Sequence, residues 1–267
     1  MRRLAALVFA LVVTAAGAQP APPLRVCADA DNLPHAHRNG TGFENRIAEL
    51  VAADLGMALR YVWSAVPRGL ASDSAEIQAC DLIVGVPADA ARTLNTRPYY
   101  RSSYVLVDRA GGPPVQDVHD PRLRQWRIGV PVTGDDTASS PPGHALVQMG
   151  GVSGLVGFPL AGEQPAAARL VRPNTRGELD AGFAWGPQAG YYVRQAQLQG
   201  QPQLRMQMVA AEAPLPSRPF ESEIAMGVRP GNVALRDRLD ELLVRRRADI
   251  ERILANYGVP LLELEER

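Results

Sequence analysis

Short apolar strands alternate with helical patterns along most of this chain, and that alternation restricts the fold more than any other feature. Leu24–Ala28 reads as a strand. Phe43, Ile47, Leu50, Val51 and Leu55 then fall on one helical face, and the helix stops at Gly56. Leu59–Trp63 and the apolar Leu82–Val86 read as strands. The pattern returns as strand Arg127–Val130, helix Pro142–Met149, strand Leu155–Phe158, an Ala-rich helix near 165–172, strand Ala181–Trp185 and a helix from Pro187. This βα alternation predicts an α/β fold, with parallel sheets covered by helices on both faces. Ligands of such sheets bind beyond the carboxyl ends of the strands. Residues 222–229 read as a strand that returns the chain to its first half. Leu235, Leu239, Leu242, Ile250, Ile253, Leu254 and Tyr257 then predict one last helix, ending at Gly258. Arg245-Arg246-Arg247 falls within it and reads as a solvated face. Ala110–Pro121 and Ala211–Pro219, rich in Pro and Gly or Pro alone, read as linkers or surface loops. The sequence contains no internal repeat.

The first 18 residues read as a secretory signal: basic Met1-Arg2-Arg3, apolar Leu4–Ala15 and the small-residue cleavage site Ala16-Gly17-Ala18. The apolar run is shorter than the ~20 residues a bilayer span needs, and no lipobox cysteine follows it. A cut after Ala18 removes 18 of 267 residues and leaves 249, periplasmic and without stable membrane insertion. All 28 basic side chains are arginine; losing Arg2 and Arg3 leaves 26 against 28 acids, a net of −2. That balance is no footprint for nucleic acid or anionic lipid. The absence of lysine excludes Schiff-base and lysine-base chemistry.

Cys27 and Cys80 are the only cysteines, and export places them where disulfides persist. Each lies at a predicted strand. If those strands are parallel neighbours, the thiols come within the ~4.4–6.8 Å Cα separation of a disulfide. The other reading is two small buried hydrophobes that never meet.

Several segments, in order, carry a resemblance to extracytoplasmic solute-binding proteins of the two-lobe kind, in the class that serves amino-acid transporters. They are Leu24–Ala28, Gly42-Phe43-Glu44, Cys80-Asp81-Leu82, Pro98-Tyr99-Tyr100, Arg127-Ile128-Gly129-Val130, Gly177-Glu178-Leu179-Asp180 and Ala225-Met226-Gly227-Val228-Arg229. A narrower set resembles the MxaJ/XoxJ proteins. It includes Asn32-Leu33-Pro34, Gly42–Ala48, Gly85-Val86-Pro87, Thr96–Ser102, Gly134-Asp135-Asp136, Pro141-Pro142, Trp185–Tyr191, Arg245-Arg246-Arg247 and Tyr257-Gly258-Val259-Pro260. His35 and His37 depart from that pattern, which puts the shape of the loop after the first strand in question.

The resemblance implies a periplasmic binding protein fold of type 2, the Venus flytrap. Each lobe would have a parallel-dominated mixed sheet, and two hinge strands would cross between the lobes. It divides the chain into a signal peptide (1–18), a first lobe (19–103 plus 226–267) and a second lobe (104–225). Candidate contacts to a ligand or partner are Asp29, Asn32, Leu33, Glu44, Trp63, Arg68, Tyr99, Tyr100, Thr133, Asp135, Asp136, Trp185 and Tyr191. MxaJ/XoxJ proteins are encoded beside quinoprotein alcohol dehydrogenases. The resemblance therefore implies a non-enzymatic accessory factor with no cofactor or metal of its own. Its partner would be a PQQ-dependent methanol dehydrogenase of the lanthanide or calcium type, with or without its cytochrome c.

A free amino acid is held by its charges, its carboxylate by a bidentate arginine and its ammonium by a carboxylate. In the amino-acid-binding class the arginine lies nine residues before the Pro of the Pro-Tyr pair; that position here is Asp89, and Arg92 is displaced. The acid that faces the ammonium normally ends the strand equivalent to Ala181–Trp185, where this chain has Trp185-Gly186. Burying an unpaired charge costs several kcal/mol, so a standard amino-acid receptor is not expected. Asp135 and Asp136 admit three readings: a cap for the helix near Pro141, a cation site, or an acid/base pair. His35-x-His37 reads as ordinary loop histidines rather than metal ligands. Trp63, Tyr99, Tyr100 and Trp185 serve equally as core or cleft walls. Two further functions stay open: a transporter's receptor for a small non-standard solute, and a dehydratase-like enzyme on the same scaffold.

Overall fold

The computed structural model describes residues 22–64, 78–150, 152–160, 164–201, 203–210 and 220–264. The signal segment, Arg68 and Ala211–Pro219 lie outside them. The chain opens with β1 (Leu24–Asp29), a ribbon of β2 (Asp31–Asn32) and β3 (Ala36–His37), and helix α1 (Phe43–Leu55). β4 (Leu59–Ser64), β5 (Leu82–Pro87), β6 (Leu94–Asn95) and β7 (Tyr100–Arg109) follow. Next come β8 (Ile128–Val132), α2 (Pro141–Met149), β9 (Leu155–Pro159), α3 (Ala166–Arg176), β10 (Ala181–Trp185), α4 (Gly186–Leu198) and β11 (Leu204–Met208). β12 (Glu221–Val228), α5 (Val233–Arg245) and α6 (Arg247–Asn256) complete it.

The main sheet runs in the order β4-β1-β5-β12-β7-β10-β8-β9. β4-β1-β5 is one parallel group and β10-β8-β9 the other. Between them β12 and β7 pair antiparallel, Glu221 opposite Ser103 and Ile224 opposite Tyr100. From Tyr104 onward β7 pairs instead with β10 and β11, while β12 beyond Ile224 pairs with β5 and β6. Each of these strands therefore has one end in each half, the two crossings expected of a two-lobe binding protein.

Alternation along the strands builds the cores. On β7, Leu106 enters a cluster with Ile128, Val130, Leu146, Phe183 and Phe220, whereas Val105 and Val107 face Val171, Ala189, Val193 and Leu204. Side chains of successive strand residues point to opposite faces, so a strand covered on both sides reads as an unbroken apolar run. The first half has its own core, centred on Leu24, Val26, Phe43, Ile47, Leu82, Met226, Leu239 and Leu254.

One expectation needs correction and others need refining. The last helix is two helices, α5 and α6, separated at Arg246 (φ −104°, ψ 12°). Adjacent residues on an unbroken helix project roughly 100° apart. Here Arg245 and Arg246 both donate to Asp54 of α1, at 2.7 and 2.8 Å, which the break permits. Hydrogen bonds from Arg246 and Arg245 hold the Asp54 carboxyl below its ordinary range. The run does lie on a solvated face, with Arg245 and Arg247 exposed, but two of its three arginines also tie the C-terminal helices to α1. The second point concerns Ala110–Pro121, which is the surface loop expected, mostly exposed, but anchored at two positions rather than a free linker. Val115 and Val118 are buried in the second core, and Val115 N–H donates to Gln207 Oε1 at 2.7 Å.

Candidate functional site

The ends of the parallel strands carry most of the candidates. Asp29 ends β1 and accepts from Asp31 N–H at 3.0 Å. Trp63, near the end of β4, stacks on Tyr61 with centroids 4.7 Å apart, and the Arg38 guanidinium lies 5.5 Å from its ring. The loop between Asn32 and Gly42 is built by the start of α1. A helix leaves its first N–H groups without internal partners. Here Phe43 N–H donates to Pro34 O and Glu44 N–H to His35 O, both at 2.8 Å. Asn45 Oδ1, fully buried, accepts from the backbone N–H of His37 and Gly42 at 2.9 and 3.0 Å.

That anchoring sets His35 Nδ1 3.1 Å from Glu44 Oε1, with Phe43 4.9 Å from the imidazole. Both side chains are largely buried, and Gly85 makes room for them. A Cβ at Gly85 would overlap Glu44 Oε1 and lie 3.2 Å from its Cδ. The pairing was hidden in the sequence because the two residues stand nine apart, a spacing that belongs to neither helix nor strand. His37 instead faces Asp31, 3.9 Å away, so the two imidazoles pair with different acids. Asn32 Oδ1 is buried and without a hydrogen-bond partner among the described residues.

Tyr99 and Tyr100 are core residues, not cleft walls. Tyr99 donates to Val84 O at 3.1 Å and both rings pack in the first core. Burial pushes both phenols well above their ordinary range. Asp89 and Arg92 are exposed on the loop after β5. Asn95 staples that loop by donating to Ala88 O and Ala90 O at 3.1 and 2.8 Å, a role the sequence reading missed.

In the second half, Thr133, Asp135 and Asp136 lie exposed in the turn after β8. The capping reading needs correction: Ser140, not either aspartate, caps α2, accepting from Gly143 N–H at 3.4 Å. A serine directly before the helix reaches its first turn, which residues four and five positions upstream do not. Asp136 serves its own turn, accepting from Ala138 N–H at 2.8 Å, and Thr133 N–H donates to Ser139 Oγ at 2.8 Å. Among the described residues no three His, Cys, Asp or Glu side chains converge on a common point.

The two halves meet along α4. Trp185, at its N-terminal cap, stands where an amino-acid receptor's ammonium-binding acid would be. Its ring packs 5.5 Å from Tyr104 and against the core of the first half. Tyr191 stacks on Tyr257 at 6.1 Å, Tyr192 donates to Leu33 O at 3.1 Å, and Arg194 reaches Ala255 O at 3.3 Å. Gly190 and Gly258 bring the backbones together: a Cβ at Gly190 would overlap the Gly258 carbonyl oxygen and lie 2.7 Å from its carbon. Replacing Gly190 by alanine should lower stability by about 1–3 kcal/mol, the range for overpacking, measured by thermal unfolding. An unchanged melting temperature would show that the seam is loose. Sequence reasoning placed Tyr191 in the site but missed Tyr192 and Tyr257, whose hydroxyls donate to the distant Leu33 O and Thr41 O.

A scan against protein-family models finds no match. Comparison with curated proteins finds Protein MoxJ of Methylorubrum extorquens AM1, 34% identical over 269 residues, covering 93% of this chain and 86% of that protein. Among solved structures, the periplasmic binding protein XoxJ from Methylobacterium extorquens AM1 superposes with a TM-score of 0.71 at 33% identity, over 90% of this chain and 100% of that one. MxaJ from Methlophaga aminisulfidivorans MPT superposes with a TM-score of 0.75 at 26% identity, over the same shares. Identity at this level over nearly the whole chain, together with the crossed two-half sheet, shows that the protein belongs to the MoxJ family of periplasmic binding proteins, the MxaJ/XoxJ type.

Proposed function

We propose that this protein is a periplasmic, non-enzymatic accessory factor that binds a PQQ-dependent methanol dehydrogenase of the lanthanide or calcium type and assists its maturation or activation. The observation that carries the reading is Trp185. Its indole packs between Tyr104 and the core of the first half at the strand end where a receptor would place a carboxylate for a ligand ammonium. Asp89 stands where the carboxylate-binding arginine belongs. Family membership supports the same reading. The division into lobes 19–103 plus 226–267 and 104–225 forms part of this proposal. In its favour, β7 changes partners between Ser103 and Tyr104.

The test mixes the purified chain at micromolar concentration with the methanol dehydrogenase of its own organism. A co-eluting complex, or higher turnover of dehydrogenase produced without this chain, is expected. Neither association nor activation at that concentration overturns the proposal. A second reading, a receptor for a small non-standard solute, is favoured by a groove beside Leu33 on the second half. It predicts that one metabolite at 100 times its dissociation constant stabilises the chain by about 2.7 kcal/mol. A thermal-shift screen tests it, and a shift without association with the dehydrogenase favours it over the first.

A further inference from the structure

We infer that the groove between α3 and α4 is a binding site for a carboxylate-bearing ligand, closed at one side by Leu33 from the other half of the molecule. The groove has a volume of about 490 Å³, within the ~300–1,000 Å³ typical of small-molecule sites. Arg172 and Arg176, one helical turn apart on α3, both line it, and among the described residues its lining includes no aspartate or glutamate. Residues at this spacing share a helix face, so both guanidiniums border the same space. A planar guanidinium fork matches a carboxylate through two parallel hydrogen bonds.

The opposite wall favours the same chemistry. Tyr191, Tyr192, Gln195 and Gln199 come from α4 and its end, and Gln164 and Gln201 extend the amide lining. Amides supply both donors and acceptors, which suits a carboxylate set beside an amide, as in an acidic amino-acid residue. A cation would meet two guanidiniums, and a hydrocarbon would desolvate the amides and leave them unpaired. Arg176 has a partner in Glu178, but at 3.7 Å between side chains 64% and 56% exposed. Such an exposed pair contributes little, and a ligand can displace it. Burial holds the Tyr191 phenol above its ordinary range, so it stays protonated as a donor. Because Tyr192 donates to Leu33 O at 3.1 Å, a ligand here also touches the seam between the halves. This inference does not depend on the dehydrogenase reading.

The experiment is isothermal titration of the folded chain at low ionic strength with succinate, with citrate and with the blocked peptide acetyl-Asp-Glu-Asp-Glu-amide. At least one should bind, and Arg172→Gln and Arg176→Gln should each weaken it about tenfold, roughly 1.4 kcal/mol. Thermal unfolding of each variant checks that the fold is kept, and Arg124→Gln, away from the groove, should bind as the parent. Binding of the small acids alone points to a free metabolite, and binding of the peptide alone to an acidic segment of a partner; either supports the site. The assignment is overturned if no probe binds at millimolar concentration. It fails equally if the double variant binds unchanged, or if inorganic phosphate binds as tightly as the best carboxylate.

Discussion

Replacing Arg205 by methionine should destabilise the protein by about 3–5 kcal/mol, the cost of leaving a buried charge without its partner. The buried charge is Asp108 of β7, 4% exposed. Arg205 of β11 grips it with both sides of its fork, Nε to Oδ1 at 3.1 Å and Nη2 to Oδ2 at 2.6 Å. The two residues face each other in the antiparallel register of β7 and β11, so the sheet itself sets the geometry. The same guanidinium donates to Gly112 O at 2.8 Å, and Arg122 holds the neighbouring Pro113 O and Pro114 O at 2.8 and 2.9 Å. The substitution therefore also frees the loop that shields Val115. Denaturant unfolding of Arg205→Met, Asp108→Asn and the double variant checks the account. The double variant should lose clearly less than the sum of the two single variants, because it leaves no orphaned charge. Additive losses would mean that the pair does not act as a unit.

Removing the Cys27–Cys80 bridge should cost about 4 kcal/mol, the chain-entropy estimate for closing this loop. The cysteines are 53 residues apart in sequence and 5.5 Å apart at Cα. Cys27 lies in β1 and Cys80 two residues before its parallel neighbour β5, where Cys27 stands opposite Ile83. The bridge and an ion cluster hold the same edge: Asp81 receives Arg25 Nη2 at 2.8 Å and also Arg229. Hydrogen bonds and charge from Arg25 outweigh partial burial, which acts the other way, and keep the Asp81 carboxyl below its ordinary range. Comparing the Cys27→Ser/Cys80→Ser variant with the parent by denaturant unfolding tests this. A loss below about 1 kcal/mol would mean that the ion cluster, rather than the covalent link, sets the stability of this edge.

Much of the fold was legible because its signals are local. The stripe Phe43, Ile47 and Val51 is a helix face wherever it lies, and α1 covers Phe43–Leu55 before Gly56. The buried run Leu82–Val86 became β5, and the Pro98-Tyr99-Tyr100 crossing became the start of β7. Short elements escaped notice. β6 is only Leu-Asn, and β11, Leu-Arg-Met-Gln-Met, is one short alternation; pairing with β12 and β7 holds them. The break at Arg246 escaped because the apolar helical spacing from Leu235 to Tyr257 runs on across it.

The chain's own residue order determined the α/β alternation, two cysteines at predicted strands in an exported chain, and the absence of an arginine at position 89 and an acid at 185. Each is a matter of residue type and short-range period, which one sequence displays in full. Tertiary structure alone decided that Tyr99 and Tyr100 are core, that His35 belongs to Glu44, and that Trp185 packs across the junction of the halves. It alone brought Gly190 against Gly258 and opened a groove edged by Arg172 and Arg176 beside Leu33. Those facts depend on which distant surfaces meet, and packing between elements far apart in sequence leaves no periodic trace in any one of them.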